Sequence, residues 1–385
     1  MNVLIREEDE KLLKPIKEFA EEEVKPVIGD FEEKEEFPTE LVKKLGTLGV
    51  FGMNIPKEYG GPGHDTLSYI RAVEELSKVD SSVAATLVAH NSLGVVPVLN
   101  FGTEEQKQKY LPGFTTGEKL WAFGLTEKNA GSDAMGVETV AQLENGEWII
   151  NGNKLYITNG GSQLTQGITL LVSTGESADK KILTTILVEN DTPGYKTETM
   201  HGKMLWRAAN NASIQIDNCK VPESNILGQP GMGGKIMLKT LDGGRLSVAA
   251  MGLGLAQGSY QMAKAYAKKR QQFGKPISHF QVIGFKLADM AVKIENARNT
   301  LYNACWLKDN GYEYGRQAAI AKLYCSEIAR EVTDEAVQIF GASGIMKGNP
   351  IERFYRDQRL LQIGEGTSEI LRLVISRKIM KESDL

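Results

Sequence analysis

The sequence predicts an α+β protein in which a helical domain is followed by a small β-domain, a barrel or sandwich, and then by a four-helix bundle. Two observations support this order. Apolar residues recur at helical spacing in the first and last thirds of the chain, and short β-branched runs fill the middle. The 385 residues suffice for two or three domains. We expect these domains at residues 1–120, 121–230 and 231–385.

The N-terminal third is predicted to be helical. One apolar stripe on a charged helix is formed, at spacings i, i+4, i+7 and i+8, by Leu12, Ile16, Phe19 and Ala20. Pro38 and Thr39 begin a second helical stretch, and the glycine-rich residues 59–63 break the chain. A long apolar helical stretch is then expected from residue 67 to residue 99.

The middle of the chain changes to the short runs typical of strands. Candidate strands are residues 148–151, 168–173, 183–188 and 213–216. Two Asn-Gly pairs, at 145–146 and 151–152, lie between such runs. Because Asn and Gly both accept positive φ angles, each pair predicts a tight hairpin turn. This block is therefore expected to form the small β-domain.

Helical spacing returns after the glycine-rich residues 228–234, which we expect to join two domains. An apolar stripe at i, i+4, i+7 and i+11 is formed by Ile283, Leu287, Met290 and Ile294. Four or five long helices should pack as a bundle, the last from residue 368 to residue 380. Glycines 252, 254 and 258 follow no strand, so they predict close helix packing rather than a dinucleotide loop.

The composition argues against several classes of protein. There are 45 basic and 49 acidic residues, a net charge of −4, so no positive field favours nucleic acid. The 3 cysteines are far apart and the 4 histidines lack ligand spacing, so neither a disulfide framework nor a metal site is expected. The first residues contain no apolar signal core, and no apolar run approaches about 18 residues. We expect a cytoplasmic protein without membrane insertion.

Two segments combine hydroxyl groups with glycines or an aromatic ring. In residues 121–133, the hydroxyls of Thr126 and Ser132 lie near glycine-exposed amides, a grouping that can bond both a heterocycle edge and a phosphate. The same grouping also suits a capped turn between domains. In residues 154–159, Tyr156 and Thr158 share a strand, a pattern more typical of a core than of a cofactor site.

A carboxylate lies between two glycines near the C-terminus. Gly364 and Gly366 carry no Cβ, so a ligand can approach Glu365 closely, and a carboxylate in a dry pocket can act as a general base. The alternative is a turn in which Thr367 or Ser368 caps the next helix and Glu365 is solvated. The motif alone does not decide between the two.

Taken together, the segments resemble the acyl-CoA dehydrogenase family of flavoproteins over nearly the whole chain. The resemblance lies in residues 123–127 (FGLTE), 130–133 (AGSD), 151–152 (NG), 156–159 (YITN), 221–222 (VP), 225–228 (NILG), 241–245 (LDGGR), 270–274 (RQQFG), 285–290 (FKLADM), 338–341 (QIFG) and 365–367 (EGT). The number and order of these motifs make the resemblance specific. The layout of that family, a helical domain, a β-domain and a helical bundle, agrees with the order predicted above.

The resemblance implies a reaction and a catalytic residue. Members of the family use FAD to oxidise an acyl-CoA thioester to the trans-2-enoyl-CoA: a carboxylate removes the α-proton, a hydride passes to flavin N5, and electrons leave to an electron-transferring flavoprotein. The thioester oxygen is held by a hydroxyl of FAD and by the backbone N–H of the base. Glu365 matches that base. Some relatives carry the base at the position of Gly244, where a glycine cannot act.

The resemblance also assigns the other site residues. Those matching FAD contacts are Phe123, Leu125, Thr126, Gly131, Ser132, Tyr156, Ile157, Thr158, Thr367 and Glu369. Those matching substrate contacts are Ser132, Asp242, Arg245, Gly364 and Gly366. Those matching contacts to the FAD of a neighbouring subunit are Arg270, Phe273, Gln281, Gln338, Ile339, Gly341 and Ala342. The last set implies a homo-oligomer, expected to be a homotetramer arranged as a dimer of dimers.

Departures from the family pattern bear on the substrate. Gly364 stands where Tyr is common, and branched-chain relatives such as isovaleryl-CoA dehydrogenase also have Gly there. The wider pocket predicts a short, branched, cyclic or aryl acyl group. Ala84 stands where glutaryl-CoA dehydrogenase has Arg, which argues against a dicarboxylic substrate. Lys128 and Ala342 replace a common Pro and a common Gly.

Three alternatives remain at the level of the sequence. The same chemistry can run backwards, as an enoyl-CoA reductase, because the redox poise of the cell sets the direction. An oxidase using oxygen is disfavoured, since such relatives are usually much longer. A flavin-bearing binding protein is disfavoured too, because the nucleic-acid-binding relatives carry an extra basic C-terminal region, whereas this chain is net acidic and ends soon after its last predicted helix.

Overall fold

The structure, a computed structural model, describes residues 7–177 and 180–381. Residues 1–6, 178–179 and 382–385 lie outside the described part. The expectations of no signal sequence and no basic C-terminal extension fall partly on these residues. Within the described part, helices occupy both ends of the chain and strands occupy the middle. The predicted α+β order of helical, β and helical regions is confirmed.

The N-terminal region is helical. Its α-helices are α1 (Glu7–Phe19), α2 (Ile28–Lys34), α3 (Thr39–Thr47), α4 (Thr66–Ser77), α5 (Ser81–Val88), α6 (Val96–Phe101) and α7 (Glu104–Tyr110). The expected stripe on α1 is present, because Ile16, Phe19 and Ala20 are buried and Leu12 is half-buried. The helix predicted to begin at Thr39 does so.

The stretch from residue 67 to residue 99 is divided among α4, α5 and α6, with a π-helical segment, Ala89–Val95, between the last two. The break lies at Asp80, whose side chain accepts a hydrogen bond from the N–H of Val83 at 2.9 Å and caps α5. Ser81–Phe101 is long and apolar enough to cross a membrane, but 83% of its most apolar stretch is buried inside the described fold, as a core helix is.

The middle region is a single mixed sheet. Its strands are β1 (Leu120–Gly124), β2 (Val140–Glu144), β3 (Glu147–Thr158), β4 (Thr165–Ser177), β5 (Lys180–Glu189), β6 (Tyr195–Thr199), β7 (Asn211–Pro222) and β8 (Ile226–Leu227). They pair in the order β6-β7-β3-β2-β4-β5-β8, and β1 pairs with β4 in parallel. The four candidate strands lie within β3, β4, β5 and β7.

The two Asn-Gly pairs differ in outcome. Asn145-Gly146 forms the β2–β3 turn, with φ angles of 51° and 82°, as predicted. Asn151-Gly152 was expected to form a second turn and lies instead inside β3, where the pairing with β7 shifts register. A Cβ at Gly152 would lie 2.5 Å from Thr139 Oγ1. The glycine is therefore required by the close approach of Thr139 and not by a hairpin.

The C-terminal region is the expected bundle. Its helices are α8 (Gly233–Lys269), α9 (Gln281–Asp309), α10 (Gly315–Phe340), α11 (Pro350–Asp357) and α12 (Ser368–Ile379). A two-stranded hairpin, β9 (Gln271–Gln272) and β10 (Lys275–Pro276), links α8 to α9. The helix predicted from residue 368 is α12, which ends one residue before the expected end.

Glycines of α8 bring the helices into close contact, as predicted. A Cβ at Gly252 would lie 2.8 Å from the carbonyl oxygen of Cys325 on α10, and one at Gly254 would lie 2.5 Å from that of Glu74 on α4. Because real Cβ atoms do not approach that closely, α8 can pack against both neighbours only with glycine here. The helices of the N- and C-terminal regions therefore share one core, to which the sheet adds a second.

Candidate active site

Glu365 lies on a tight turn between a 3₁₀ segment, Gln358–Gln362, and α12. Its φ angle is 53° and that of Gly366 is 101°. The turn is held before Glu365 by the N–H of Gly364, which donates to the carbonyl of Leu360 at 2.8 Å. After it, Thr367 Oγ1 caps α12 by accepting from the N–H of Ile370 at 3.2 Å. A left-handed non-glycine residue costs about 1 kcal/mol, so this turn persists only because its surroundings fix it.

Glu365 is half-buried, and the Oε2 atom of its carboxylate is fully buried. Its Oε2 atom accepts no hydrogen bond from any described residue. A Cβ built at Gly244 on α8 would overlap that oxygen and lie 3.1 Å from Leu93 Cδ2. Burial raises the pKa of Glu365 to about 7, while Lys322 and Arg245 oppose the rise. An unbonded carboxylate oxygen with a near-neutral pKa suits a general base. The turn expected in the alternative is also present, since Thr367 caps α12, but Oε2 of Glu365 is shielded from solvent.

Two cations, Lys322 and Arg245, lie near this carboxylate. Lys322 Nζ on α10 donates to the carbonyl of Gly366 at 2.6 Å. On α8, Arg245 Nη1 pairs with Asp242 Oδ1 at 2.6 Å, while the buried Nε of Arg245 has no partner among the described residues. Asp242 and Arg245 precede and follow Gly244 on α8, and Arg245 lies near enough to Glu365 to lower its pKa.

Lys322 is a site residue that the sequence analysis missed. Its helical neighbours at i−4, i+3 and i+7 are Ala318, Cys325 and Ala329, all of which are buried. A lysine on such a stripe is a signal of a buried cation, because lysine is rarely buried without a polar partner. That pattern could have been found in the sequence.

The loop after β1 carries Thr126 beside the end of β3. The N–H of Leu155 donates to the Thr126 carbonyl at 3.0 Å. Tyr156 follows in a bulge, with a φ angle of 61° and a side chain that is 65% exposed. Thr158 Oγ1 accepts a hydrogen bond from Asn211 Nδ2 at 2.9 Å. Thr126 and Tyr156 thus lie together near the C-terminal end of β3, with the Tyr156 ring available to a ligand.

A buried ion pair holds this loop in place. Lys154 Nζ lies 2.7 Å from Glu127 Oε1 and also donates to the carbonyl of Leu171 at 2.7 Å. Glu127 accepts a further bond from the N–H of Thr139 at 3.1 Å. Since Glu127 directly follows Thr126, the pair fixes the loop against β3 and β4. The neighbouring Leu125 packs in a cluster with Phe123 and Leu93, which connects the loop to the surroundings of Glu365.

The residues predicted to contact FAD differ in how exposed their side chains are. Ile157 and Ile339 bury their side chains in the cores of the sheet and the bundle, so only their backbone can face a ligand. Gly131 and Ser132 are exposed on the loop after β1. Glu369 is exposed on the first turn of α12, and Thr367 is half-buried as its cap.

A second group of predicted residues lies far from Glu365. Its exposed members are Arg270, Phe273, Gln281, Gln338, Gly341 and Ala342. Arg270 follows the last residue of α8, so it is about 37 Å along the helix axis from Arg245. Phe273 lies at the tip of the β9–β10 hairpin with a φ angle of 52° and a side chain that is 91% exposed. The fold does not bring this group to Glu365 within one chain.

Comparisons with protein families cover the three regions. The N-terminal domain of acyl-CoA dehydrogenase matches residues 6–118, the middle domain matches residues 122–219 and the C-terminal domain matches residues 231–380. The chain belongs to the acyl-CoA dehydrogenase family. The resemblance found in the motifs is thereby confirmed, and so is the expectation of an oxidoreductase of this family.

Relatives of the chain are similar over their full length. A short-chain specific acyl-CoA dehydrogenase of Clostridium acetobutylicum is 43% identical, over 99% of this chain and 100% of the relative. The structure of butyryl-CoA dehydrogenase from Megasphaera elsdenii matches with a TM-score of 0.96 at 40% identity, over 99% of this chain and 100% of that chain. These acyl-CoA dehydrogenases show the reaction class of the family.

Two further solved structures bear on cofactor and partner. An acyl-CoA dehydrogenase from Bacillus anthracis, complexed with FAD, matches with a TM-score of 0.92 at 33% identity, over 98% of this chain and 67% of that chain. A structure from work on the electron transferring flavoprotein of Acidaminococcus fermentans matches with a TM-score of 0.96 at 41% identity, over 99% of this chain and 100% of that chain.

Proposed function

We propose that this acyl-CoA dehydrogenase oxidises a short acyl-CoA thioester to the trans-2-enoyl-CoA, with Glu365 removing the α-proton. The observation that supports the proposal most strongly is the buried, unbonded Oε2 of Glu365. Because burial raises the pKa of this carboxyl to about 7, the ionised form is a stronger base than an exposed carboxylate and is still populated at neutral pH.

The turn of Glu365 also suits stabilisation of the developing enolate. Its backbone N–H donates to no acceptor found among the described residues. A free N–H beside the base can hold the thioester oxygen while the α-proton leaves, as the family resemblance implies, because oxyanion stabilisation requires a donor fixed before the reaction. The left-handed backbone of Glu365 supplies that fixed donor.

FAD is the cofactor of the proposed reaction, and the site fits it. Tyr156 presents an exposed ring from a bulge beside Thr126, the arrangement needed to flank and bond a flat heterocycle. Leu125 and Leu93 pack in one apolar cluster, and Leu93 lies beside the point on Gly244 that Glu365 faces. When bound, FAD supplies the acceptor for the β-hydride. Thr126 and Thr158 would bond it, and Leu93 would exclude water from the base.

The short acyl group is proposed from the relatives and from Gly364. The Clostridium acetobutylicum relative is named as short-chain specific, and the Megasphaera elsdenii structure is named as butyryl-CoA dehydrogenase. A Cβ at Gly364 would meet only ordinary contacts, at 3.6 Å from the carbonyl oxygen of Leu360. The position beside the base is therefore open, so we propose that branched, cyclic or aryl groups are also accepted.

Replacing Gly364 with Tyr tests whether the open space beside Glu365 accommodates branched acyl groups. The Cβ fits without strain, so the Gly364→Tyr variant is expected to fold and to fill the space beside Glu365. Turnover of isovaleryl-CoA should fall at least about tenfold more than turnover of butyryl-CoA. Isovaleryl-CoA carries an extra methyl branch, and room for one such group in a pocket changes the activation free energy by roughly 1–3 kcal/mol. Equal losses for the two substrates would show that Gly364 does not shape the acyl pocket.

Anaerobic titration tests the proposed function as a whole. The purified protein should be yellow, and its visible flavin band should bleach when a short acyl-CoA is added. Butyryl-CoA, isovaleryl-CoA, a cyclic acyl-CoA and an aryl acyl-CoA are added separately, with free CoA as the control. Bleaching by none of them would contradict the proposal.

We further propose a homotetramer that passes electrons to an electron-transferring flavoprotein. The exposed Phe273 and the exposed apolar Val282 and Phe285 of α9 support an interface at this end of the bundle. Arg270 matches a contact to the FAD of a neighbouring subunit and lies about 37 Å along α8 from Arg245, which matches a substrate contact, so we infer that a complete site takes residues from two chains. The Acidaminococcus fermentans match supports the electron partner.

A further inference from the structure

A buried lysine lies directly beneath the turn that carries Glu365. Lys322 is fully buried on α10, and its Nζ donates to the carbonyl of Gly366 at 2.6 Å. No carboxylate forms an ion pair with it in the described part of the chain. An ammonium group is costly to bury, and a buried one is usually paired with an acid. Lys322 is bonded instead to the residue that follows the base.

The bond of Lys322 acts on a strained segment. Glu365 has a positive φ angle that is unfavourable for a residue with a Cβ, and the turn continues through Gly366, where a positive φ carries no such cost. Leu360 fixes the chain before these residues and Thr367 fixes it after them. Between these two points, the hydrogen bond of Lys322 to the Gly366 carbonyl ties the turn itself to α10. Its loss would leave Glu365 free to change its direction.

Lys322 also acts on the charge of the site. The groups that face Glu365 are Lys322 from α10, Arg245 from α8 and the hydroxyl of Tyr69 from α4. Lys322 itself faces Glu365, Arg245, Glu327 and Glu369. Burial lowers the pKa of Lys322 to about 8, so the ammonium form still predominates at neutral pH. A cation at this position favours the ionised form of Glu365.

We propose that Lys322 is a positioning residue for Glu365, which it holds in place through Gly366 and keeps ionised without bonding to its carboxylate. A direct ion pair would occupy the oxygen that has to take the α-proton. The shift of the hydrogen bond by one residue, to the Gly366 carbonyl, leaves Oε2 free. This inference rests on the proposed function, since it takes Glu365 to be the base.

Two substitutions separate the hydrogen bond from the charge. Lys322→Gln keeps a donor for the Gly366 carbonyl and removes the charge, whereas Lys322→Met removes both. Without the cation, the pKa of Glu365 rises, so in both variants the acid limb of kcat/KM should move to higher pH by about one unit or more. Only Lys322→Met should also lower kcat at the alkaline plateau, by up to about 10²-fold, because the base is then misplaced.

The matched control is Cys325→Ala. Cys325 is buried one turn away on the same helix and contacts no polar group of the turn, so this variant should keep the wild-type acid limb. Flavin content and Tm are recorded for each variant. If Lys322→Met does not fold, the acid limb of Lys322→Gln alone tests the role of Lys322. An unchanged acid limb in Lys322→Gln would overturn the inference. Full turnover in a Glu365→Gln variant would instead overturn the proposed function, so the two failures are distinguishable.

Discussion

Replacing Glu365 with Gln is expected to reduce the rate of acyl-CoA oxidation by about 10²–10⁴-fold while leaving FAD bound. The amide has almost the same shape as the carboxylate but cannot accept a proton from carbon. Since Oε2 of Glu365 makes no hydrogen bond within the described chain, the substitution breaks none there. The flavin band should therefore persist, and only its bleaching by substrate should slow.

The measurement is the rate of anaerobic flavin bleaching in a stopped-flow instrument across pH. The wild-type rate should fall as pH drops below about 7, because the raised pKa of Glu365 means that protonation removes the base in this range. Glu40→Gln is the matched control, since Glu40 is 84% exposed on α3 and forms a surface ion pair with Lys43. A Glu365→Gln variant that bleaches at the wild-type rate would place the base elsewhere.

The sequence predicts those elements whose conformation is set by neighbouring residues, and it fails where contacts with distant residues set the conformation. The strands of the sheet and the start of α3 follow from local pattern, and the structure confirms them. Asn145-Gly146 and Asn151-Gly152 are chemically the same pair, but only the first is a turn. The second is determined by Thr139, which approaches Gly152 from another part of the chain. This contact cannot be recognised from the residues that neighbour Gly152 in the sequence.

The candidate site shows the same division. Glu365 could be selected from its motif through the family resemblance, but whether it is solvated or buried is decided by α8 and α10. Lys322 was missed because lysine is ordinarily taken as a surface residue, and its role follows only from the packing of α10 under the turn. Phe273 is exposed and contacts the Phe280 ring of the same chain, so its predicted place against a neighbouring subunit's FAD rests on the family resemblance alone.

Replacing Gly244 with Ala is expected to lower kcat/KM by about 10²-fold with little loss of stability. The new Cβ would overlap Oε2 of Glu365, so the carboxylate has to move away from its position. A displacement of about 1 Å at a reacting group costs on the order of 10²-fold in rate. The atom that moves is the end of a flexible side chain, and alanine favours a helix over glycine by about 0.5–1 kcal/mol. The Tm should therefore stay close to that of the wild type.

Gly243→Ala is the control that isolates the effect of position. Gly243 precedes Gly244 on α8, and among the described residues a Cβ there would meet only Lys308 Nζ, at 3.8 Å. Both substitutions add one methyl group to the same helical turn and have the same effect on helix propensity. Activity should fall only in Gly244→Ala, as measured by kcat/KM with butyryl-CoA at equal flavin content. Equal activity in the two variants would mean that the Glu365 carboxylate does not face Gly244 during catalysis. A loss in Gly244→Ala alone would show that the rate depends on where this carboxylate lies.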